Sequence, residues 1–188
     1  MARGAYEGGA DYMYRVNDDT EFLHHWPAIF VGALNSIPSR IGVVGPTCTQ
    51  GNTEILTHDF VARVHMEIME MNYYPPELVD WWMDDWISYV YGHTRSFRAS
   101  QVHVIHHTGA HGRRYEVDSA NHKHLTSQME AGRRRIRGKL LKLDDTGADD
   151  APVVKWDAEM KKLNSRRGHV FKLRDVPKGL QANAKAKA

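Results

Sequence analysis

The sequence predicts a mixed α/β domain. Three observations predict it: short runs of strand character at residues 11–16, 41–44 and 101–107, apolar residues at helical spacing between and after them, and turn-forming residues at the junctions. A chain of 188 residues that is 41% hydrophobic buries one core of ordinary size rather than two. Its 26% of charged residues, mean hydropathy of −0.56 and lack of any apolar run near ~18 residues describe a soluble globular chain without a membrane span. A formal charge of +2 is too small to direct the chain to a polyanion, so nucleic acid is not an expected partner. The single cysteine, Cys48, forms no internal disulfide, and residues 1–10 lack the apolar stretch of a signal peptide.

Each element follows from local pattern. Residues 11–16 (DYMYRV) are aromatic and branched, and they run into Asn17-Asp18-Asp19-Thr20, which favour turns or caps. Residues 41–44 are apolar apart from Gly42 and reach the breaking pair Gly45-Pro46, so a buried strand closing there is expected. Phe60, Val64 and Ile68 recur at helical spacing, with Thr57 and Asp59 placed for a cap and first turn; this predicts a helix over 57–69, ended by Tyr73-Tyr74-Pro75-Pro76. Trp82, Trp86, Tyr89 and Val90 form the stripe of a second helix, which Gly92 ends. Residues 101–107 alternate, with Val102, Val104 and His106 on one face and His103, Ile105 and His107 on the other, before a Gly/His loop at 107–112. After Asn121, Leu125, Met129, Ile136 and Leu140 line one side of a third helix, with Arg133, Arg134, Arg135 and Arg137 around the rest. Residues 144–152 (DDTGADDAP) read as a linker and 182–188 as a small basic tail. The span 144–188 is therefore expected to be dispensable, unless Trp156, Leu163, Val170 and Phe171 dock back on the core.

Several constellations carry chemistry. Adjacent carboxylates such as Asp18 and Asp19 at a strand end repel unless neutralised, so they serve either a divalent cation bridged to phosphate oxygens or a capped surface turn. In the run from Asp80 through Trp81-Trp82-Met83-Asp84-Asp85-Trp86, acids sit among aromatic rings, where desolvation raises proton affinity toward the range of a general base; the other reading is a helix cap. At ~100° per residue Asp85 falls beside the Trp82/Trp86 stripe and Asp84 nearly opposite, which makes Asp85 the better base. The histidines His103, His106, His107 and His111 lack the cysteine partners of a closed zinc site. One of them completing a shell begun by carboxylates is the reasonable use; surface roles account for the rest. The arginine run at 133–137 has no interleaved aromatics and reads as a solvated helix face.

Taken in order, these segments resemble GT-A-fold, DXD-type metal-dependent glycosyltransferases. Residues 12–20 (YMYRVNDDT) look like the strand end that binds a nucleotide-sugar diphosphate through a metal. Residues 41–46 (IGVVGP), 55–65 (ILTHDFVARVH) and the block from Tyr74-Pro75-Pro76-Glu77 through Trp82-Met83-Asp84-Asp85-Trp86 are similar to the acceptor-side half. The resemblance implies an α/β fold with a GT-A-like mixed sheet flanked by helices, a nucleotide-sugar donor, a carbohydrate or glycoconjugate acceptor, and Mn2+ or Mg2+. It implies Asp18 and Asp19 with His106 or His107 as metal ligands, Asp84 in a Glu-like position with Asp85 as the catalytic base, and Asn17, Trp81, Trp82, Arg63 and His65 on the substrate side.

On that resemblance residues 1–143 are a partial catalytic domain and 144–188 a linker and basic tail. The pair reads Asn-Asp-Asp rather than Asp-X-Asp, and residues 1–10 stand where the family carries a nucleotide-binding half. The sheet is thus expected to be incomplete at its N-terminal side, with unpaired edges and with Tyr12, Tyr14, Val43 and Val44 on an uncovered face. An upstream anchor in a longer protein would imply the Golgi or ER lumen, and its lack the cytoplasm. Two other classes fit the same residues: a non-catalytic carbohydrate- or protein-binding module that keeps the tryptophan-lined groove, and a metal-dependent hydrolase using the Asp pair and the histidines. The residues leave inverting and retaining chemistry both open.

Overall fold

Strand, turn and helix follow one another as the alternating pattern demands. The computed structural model describes residues 1–50, 52–109, 121–143 and 173–177. Helix α1 (Ala2–Glu7) precedes β1 (Tyr12–Arg15); the chain turns at Asp18 and Asp19 and continues as β2 (Thr20–Phe22). Helix α2 (Pro27–Asn35) opens with proline, whose missing N–H has no partner to lose in a first turn. Then come β3 (Val43–Cys48), β4 (Asp59–Ala62), α3 (Val64–Ile68), α4 (Met83–Val90), β5 (Ser96–His106), α5 (His122–Lys142) and β6 (Arg174–Asp175). The strands form one curled mixed sheet in the order β1-β4-β3-β5-β2, with β6 also on β5. The β3/β5 and β5/β6 pairs are parallel and the others antiparallel.

Alternation along β1 sorts its side chains to opposite faces of the sheet. Tyr12 and Tyr14 join a core in which Phe30, Ala33 and Leu34 of α2 meet Val44, Phe60, Ala62 and Phe97. Met13 joins the other core, where Val43 and Val61 meet Met66, Trp86, Val90, Leu125, Met129 and Ile136 from α3, α4 and α5. Helices α4 and α5 cross closely at Gly132: a Cβ there would lie 2.6 Å from Val90 Cγ2 and 3.1 Å from Trp86 Cζ2. Both faces are therefore covered, and the expected bare patch is absent. Val43 and Val44 are 0% exposed, while Tyr12 and Tyr14 pack on Phe60 with ring centroids at 5.3 and 6.0 Å.

Tertiary pairing overrides several local expectations. Strand β3 does not close at Gly45-Pro46 but runs through it. Pro46 pairs with Ala99 and Thr47 with His103, so one step on β3 spans four on β5, and this irregularity takes up the residue that has no N–H to donate. Strand β5 accordingly starts at Ser96, well before residue 101. The helix expected over 57–69 splits into β4 and α3. Phe60-Val61-Ala62 is a short run buried on both faces, for which periodicity cannot separate helix from strand, and pairing with both β1 and β3 decides it.

On α5, Arg133 is not part of a solvated face: it is 3% exposed and donates to the Tyr89 carbonyl at 2.8 Å. Residues 173–177 extend the fold beyond the expected boundary at 143. Leu173 and Val176 are buried, β6 pairs with β5, and Asp175 accepts hydrogen bonds from the Ser100 N–H at 3.0 Å and hydroxyl at 2.5 Å. The linker at 144–152, Trp156, Leu163, Val170, Phe171, the tail at 182–188 and His111 lie outside the described residues. No helix among the described residues is long and apolar enough to cross a membrane.

Candidate functional site

Two ends of distant strands meet at the turn after β1. Because β2 pairs with β5, Thr20 lies opposite His106, and the turn that carries Asp19 is laid against the end of β5. The His107 N–H fastens it by donating to the Asp19 carbonyl at 2.9 Å. Asp19 Oδ1 stands 3.0 Å from His106 Nε2, and the two side chains are only 14% and 16% exposed. Asn17 Nδ2 also lies 3.0 Å from that same Nε2, whose single lone pair serves either this amide or a cation. Asp19 Oδ1 accepts no hydrogen bond among the described residues although it is buried. Two acceptors this close repel unless a proton or a cation lies between them, and carboxylate oxygen with imidazole nitrogen is a suitable donor set for a divalent metal. Among the described residues no three His, Cys, Asp or Glu side chains converge on one point, so two donors from the described residues meet here.

A buried histidine supports this pair from beneath. His58, 0% exposed, has Nε2 2.6 Å from the Thr20 hydroxyl and Nδ1 3.0 Å from the Thr57 hydroxyl. Its ring stands edge-on to His106 at 5.4 Å. Burial, with His106 and Arg15 adding to it and Asp19 opposing, lowers its pKa to about 4, so at neutral pH it is an uncharged strut between two hydroxyls. Gly45 makes room for the segment that carries it, since a Cβ at that position would sit 2.3 Å from the His58 carbonyl oxygen.

Beside this pair lies a second polar cluster on the same face of the sheet as Met13 and Val61. Arg15 donates to Asp84 Oδ1 at 2.6 Å and to the Thr57 carbonyl at 2.5 Å. Its guanidinium lies 5.5 Å from the centre of the Tyr74 ring. Asp59, directly opposite Arg15 in the β1/β4 register, is 0% exposed. It accepts the Tyr73 hydroxyl at 2.6 Å on one oxygen and the Tyr74 hydroxyl at 2.5 Å on the other. Burial raises the pKa of Asp59, against the pull of Arg15 and the two phenols. Asp84 is raised to about 6: burial is the main cause, Arg15 works against it, and Asp59 and Asp85 add to it.

The projection that favoured Asp85 presumes a helix already running at Trp82, and the structure places that residue differently. Trp82 is the N-cap in a left-handed conformation (φ 71°), Asp80 is left-handed too (φ 63°), and α4 starts at Met83. Its angular relation to Asp84 and Asp85 is thus set by the turn. Asp84 reaches the Arg15 cluster, while Asp85 is partly buried and adds to the raised proton affinity of Asp84 and of Tyr89. Trp81 is partly exposed, and the Trp82 ring packs on that of His122 at 4.5 Å.

Other expected site residues are not brought together. Asp18 is exposed at the turn. His107 alternates away from His106 and pairs with Glu21 at 2.9 Å, so of the two late histidines it is His106 that meets Asp19. His65 lies in the core: it is 1% exposed, Nε2 donates to the Tyr73 carbonyl at 2.8 Å, and Nδ1 accepts the Tyr91 hydroxyl at 2.5 Å. Arg63 is committed to the N-terminal segment, donating to the Tyr6 carbonyl at 2.6 Å with its guanidinium 3.7 Å from the Tyr6 ring centre.

Sequence reasoning missed Arg15, His58, Asp59, Tyr73 and Tyr74 as site residues. For Arg15 a signal exists, since period-two alternation puts it on the inner face with Met13. For Asp59 the helical reading of its segment hid the buried position. No protein-family model, curated protein or solved structure matches the chain.

Proposed function

We propose that this chain is a metal-dependent glycosyltransferase domain of GT-A type that transfers a sugar from a nucleotide-sugar donor to an acceptor hydroxyl. The observation that carries the reading is the convergence of Asp19 Oδ1 and His106 Nε2 at 3.0 Å, at the end of the strand that resembles a DXD element. Asp19 and His106 would hold Mn2+ or Mg2+, and the metal supplies charge neutralisation for the diphosphate leaving group. With Asp19 and His106 as the donors among the described residues, the donor's diphosphate oxygens and water would fill further coordination positions. The hydrolase reading needs metal held by side chains alone.

In the inverting form of the reaction, a carboxylate at the start of α4 accepts the proton of the acceptor hydroxyl. The acceptor oxygen bonds to the anomeric carbon while the carbon–oxygen bond to the diphosphate breaks, its electron pair leaving with the nucleoside diphosphate. Helix α4 is suited to presenting that carboxylate because Asp84 and Asp85 occupy its first turn. His58 braces the metal-binding turn through the Thr20 hydroxyl, as groups behind a metal ligand commonly do.

Calorimetric titration of Mn2+ with and without a nucleoside diphosphate tests the reading. Weak binding of Mn2+ alone, at least about tenfold tighter binding with the nucleotide, and loss of that gain in Asp19→Asn and in His106→Ala are expected. Tight Mn2+ binding without nucleotide would favour the hydrolase, and the same affinity with and without nucleotide in the wild-type chain would overturn the transferase.

A further inference from the structure

Of the two adjacent carboxylates at the start of α4, Asp84 is tied into a buried network. The network begins at Asp59, which no solvent reaches and whose two oxygens are each capped by a tyrosine hydroxyl. Tyr73 is itself fixed, because its carbonyl accepts the His65 ring N–H and His65 is held in turn by the Tyr91 hydroxyl. Tyr74 lies under the Arg15 guanidinium, and Arg15 is held at one end by the Thr57 carbonyl. Its other end meets Asp84. Asp84, in the first turn of α4, and Arg15 form the solvent-facing end of the network: their side chains are 28% and 22% exposed.

We infer that Arg15, held in place by the Asp59–Tyr73–Tyr74 clamp, is the positioning residue for Asp84 and makes Asp84 the proton-accepting carboxylate of the pair. The inference rests on the proposed transferase reading for what the proton is taken from, but the arrangement itself is independent of it. A contact with a fixed guanidinium on Oδ1 orients the carboxylate, and Oδ2 is the oxygen that would meet an acceptor hydroxyl. The groups that face Asp84 are Arg15 on β1, Asp59 on β4, Tyr74 from the loop before α4, and Asp85 on its own helix. Of these only Arg15 favours the ionised form. Burial and the two carboxylates favour the protonated one, so the state of Asp84 depends on where Arg15 is held.

The experiment is carbon-detected NMR titration of the full chain with Asp side-chain carboxyls labelled, Asp84 being assigned by its loss in Asp84→Asn. In the wild type, Asp84 is expected to titrate near pH 6, above the ordinary carboxylate value of 3.8. In Arg15→Gln the Asp84 midpoint should rise by about one pH unit, and Arg15→Lys should restore most of the shift, because a lysine retains the charge but not the two-pronged hold. Should Arg15→Gln fail to fold, Tyr74→Phe, which loosens the clamp while keeping the charge, is expected to move the midpoint in the same direction by less. An Asp84 midpoint that is the same in these variants as in wild type, or an Asp84 that titrates at the ordinary carboxylate value of 3.8, would overturn the inference. If the titration behaves as expected and the calorimetry shows no gain with nucleotide, the positioning stands and the transferase reading falls. The opposite pair of results separates them the other way.

Discussion

The two faces of the sheet are built from the same strands and hold together by different physics. On the α2 face, Tyr14, Trp26, Phe30 and Phe60 meet at centroid distances of 4.6 to 6.0 Å, and burial of aromatic surface accounts for the packing. The α4 face places Arg15, Asp59, His65 and Asp84 among apolar residues, each satisfied by a named partner. The same residue type behaves oppositely on the two faces. Tyr14 has a buried hydroxyl with no hydrogen-bond partner among the described residues, whereas the hydroxyls of Tyr73 and Tyr74 cap a carboxylate. The first face can lose polar atoms freely and apolar ones only at high cost. The second face has an apolar core as well, but its polar atoms cannot be removed without leaving buried partners unpaired, which is the condition for keeping reactive groups in a fixed place.

That contrast can be broken most severely on the aromatic face. Phe30 is 0% exposed and touches Tyr14, Trp26 and Phe60, so Phe30→Ala is expected to cost about 3–5 kcal/mol in urea unfolding. It should leave the titration of Asp84 unmoved. A change in that titration would show the faces to be coupled.

Acid sharpens the comparison, because the titrating groups with shifted carboxyl and imidazole pKa values in the interior lie off the aromatic face. His58 and His65 have pKa values lowered from 6.5 to about 4 by burial, so between those values the unfolded chain takes up protons that the folded one excludes. Their contribution to stability is complete above about pH 6.5 and is lost as the pH falls toward 4. Asp84, raised to about 6, and Asp59, also raised, act with the opposite sign, since the folded state takes up their protons first. Unfolding midpoints between pH 7 and pH 4.5 should therefore fall less steeply in His65→Gln than in wild type, and more steeply in Asp84→Asn. Parallel pH profiles in the three chains would contradict this assignment.

The smallest effects come from the tyrosines. Tyr74→Phe strips Asp59 of one of its two donors and is expected to cost about 1–3 kcal/mol, while Tyr14→Phe should be neutral within about 0.5 kcal/mol or slightly stabilising. Equal costs at the two positions would mean that the faces do not differ in the way described.

Elements with a strong local period were legible in the sequence. The alternation in DYMYRV and in 101–107, and the stripes of Leu125, Met129 and Ile136, correspond to β1, the end of β5 and α5. The turn at Asp18 and Asp19 follows from residue type alone. Segments with two strand neighbours were not legible, because Phe60-Val61-Ala62 and Gly45-Pro46 are decided by pairing partners elsewhere in the chain. The site divides in the same way. Asp19 and His106 each stood out as candidate ligands by residue type, but their contact depends on β2 pairing with β5.

By itself the sequence determined which residues carry chemistry and which short segments alternate or spiral, since both are properties of neighbours along the chain. Only the tertiary structure decided that Asp59 is a buried anchor rather than a helix cap, that Asp84 reaches Arg15, and that His65 meets Tyr91 and Arg63 the Tyr6 carbonyl. The physical reason is that burial and charge pairing are set by groups distant in sequence and brought together by sheet register, which no local window of residues contains.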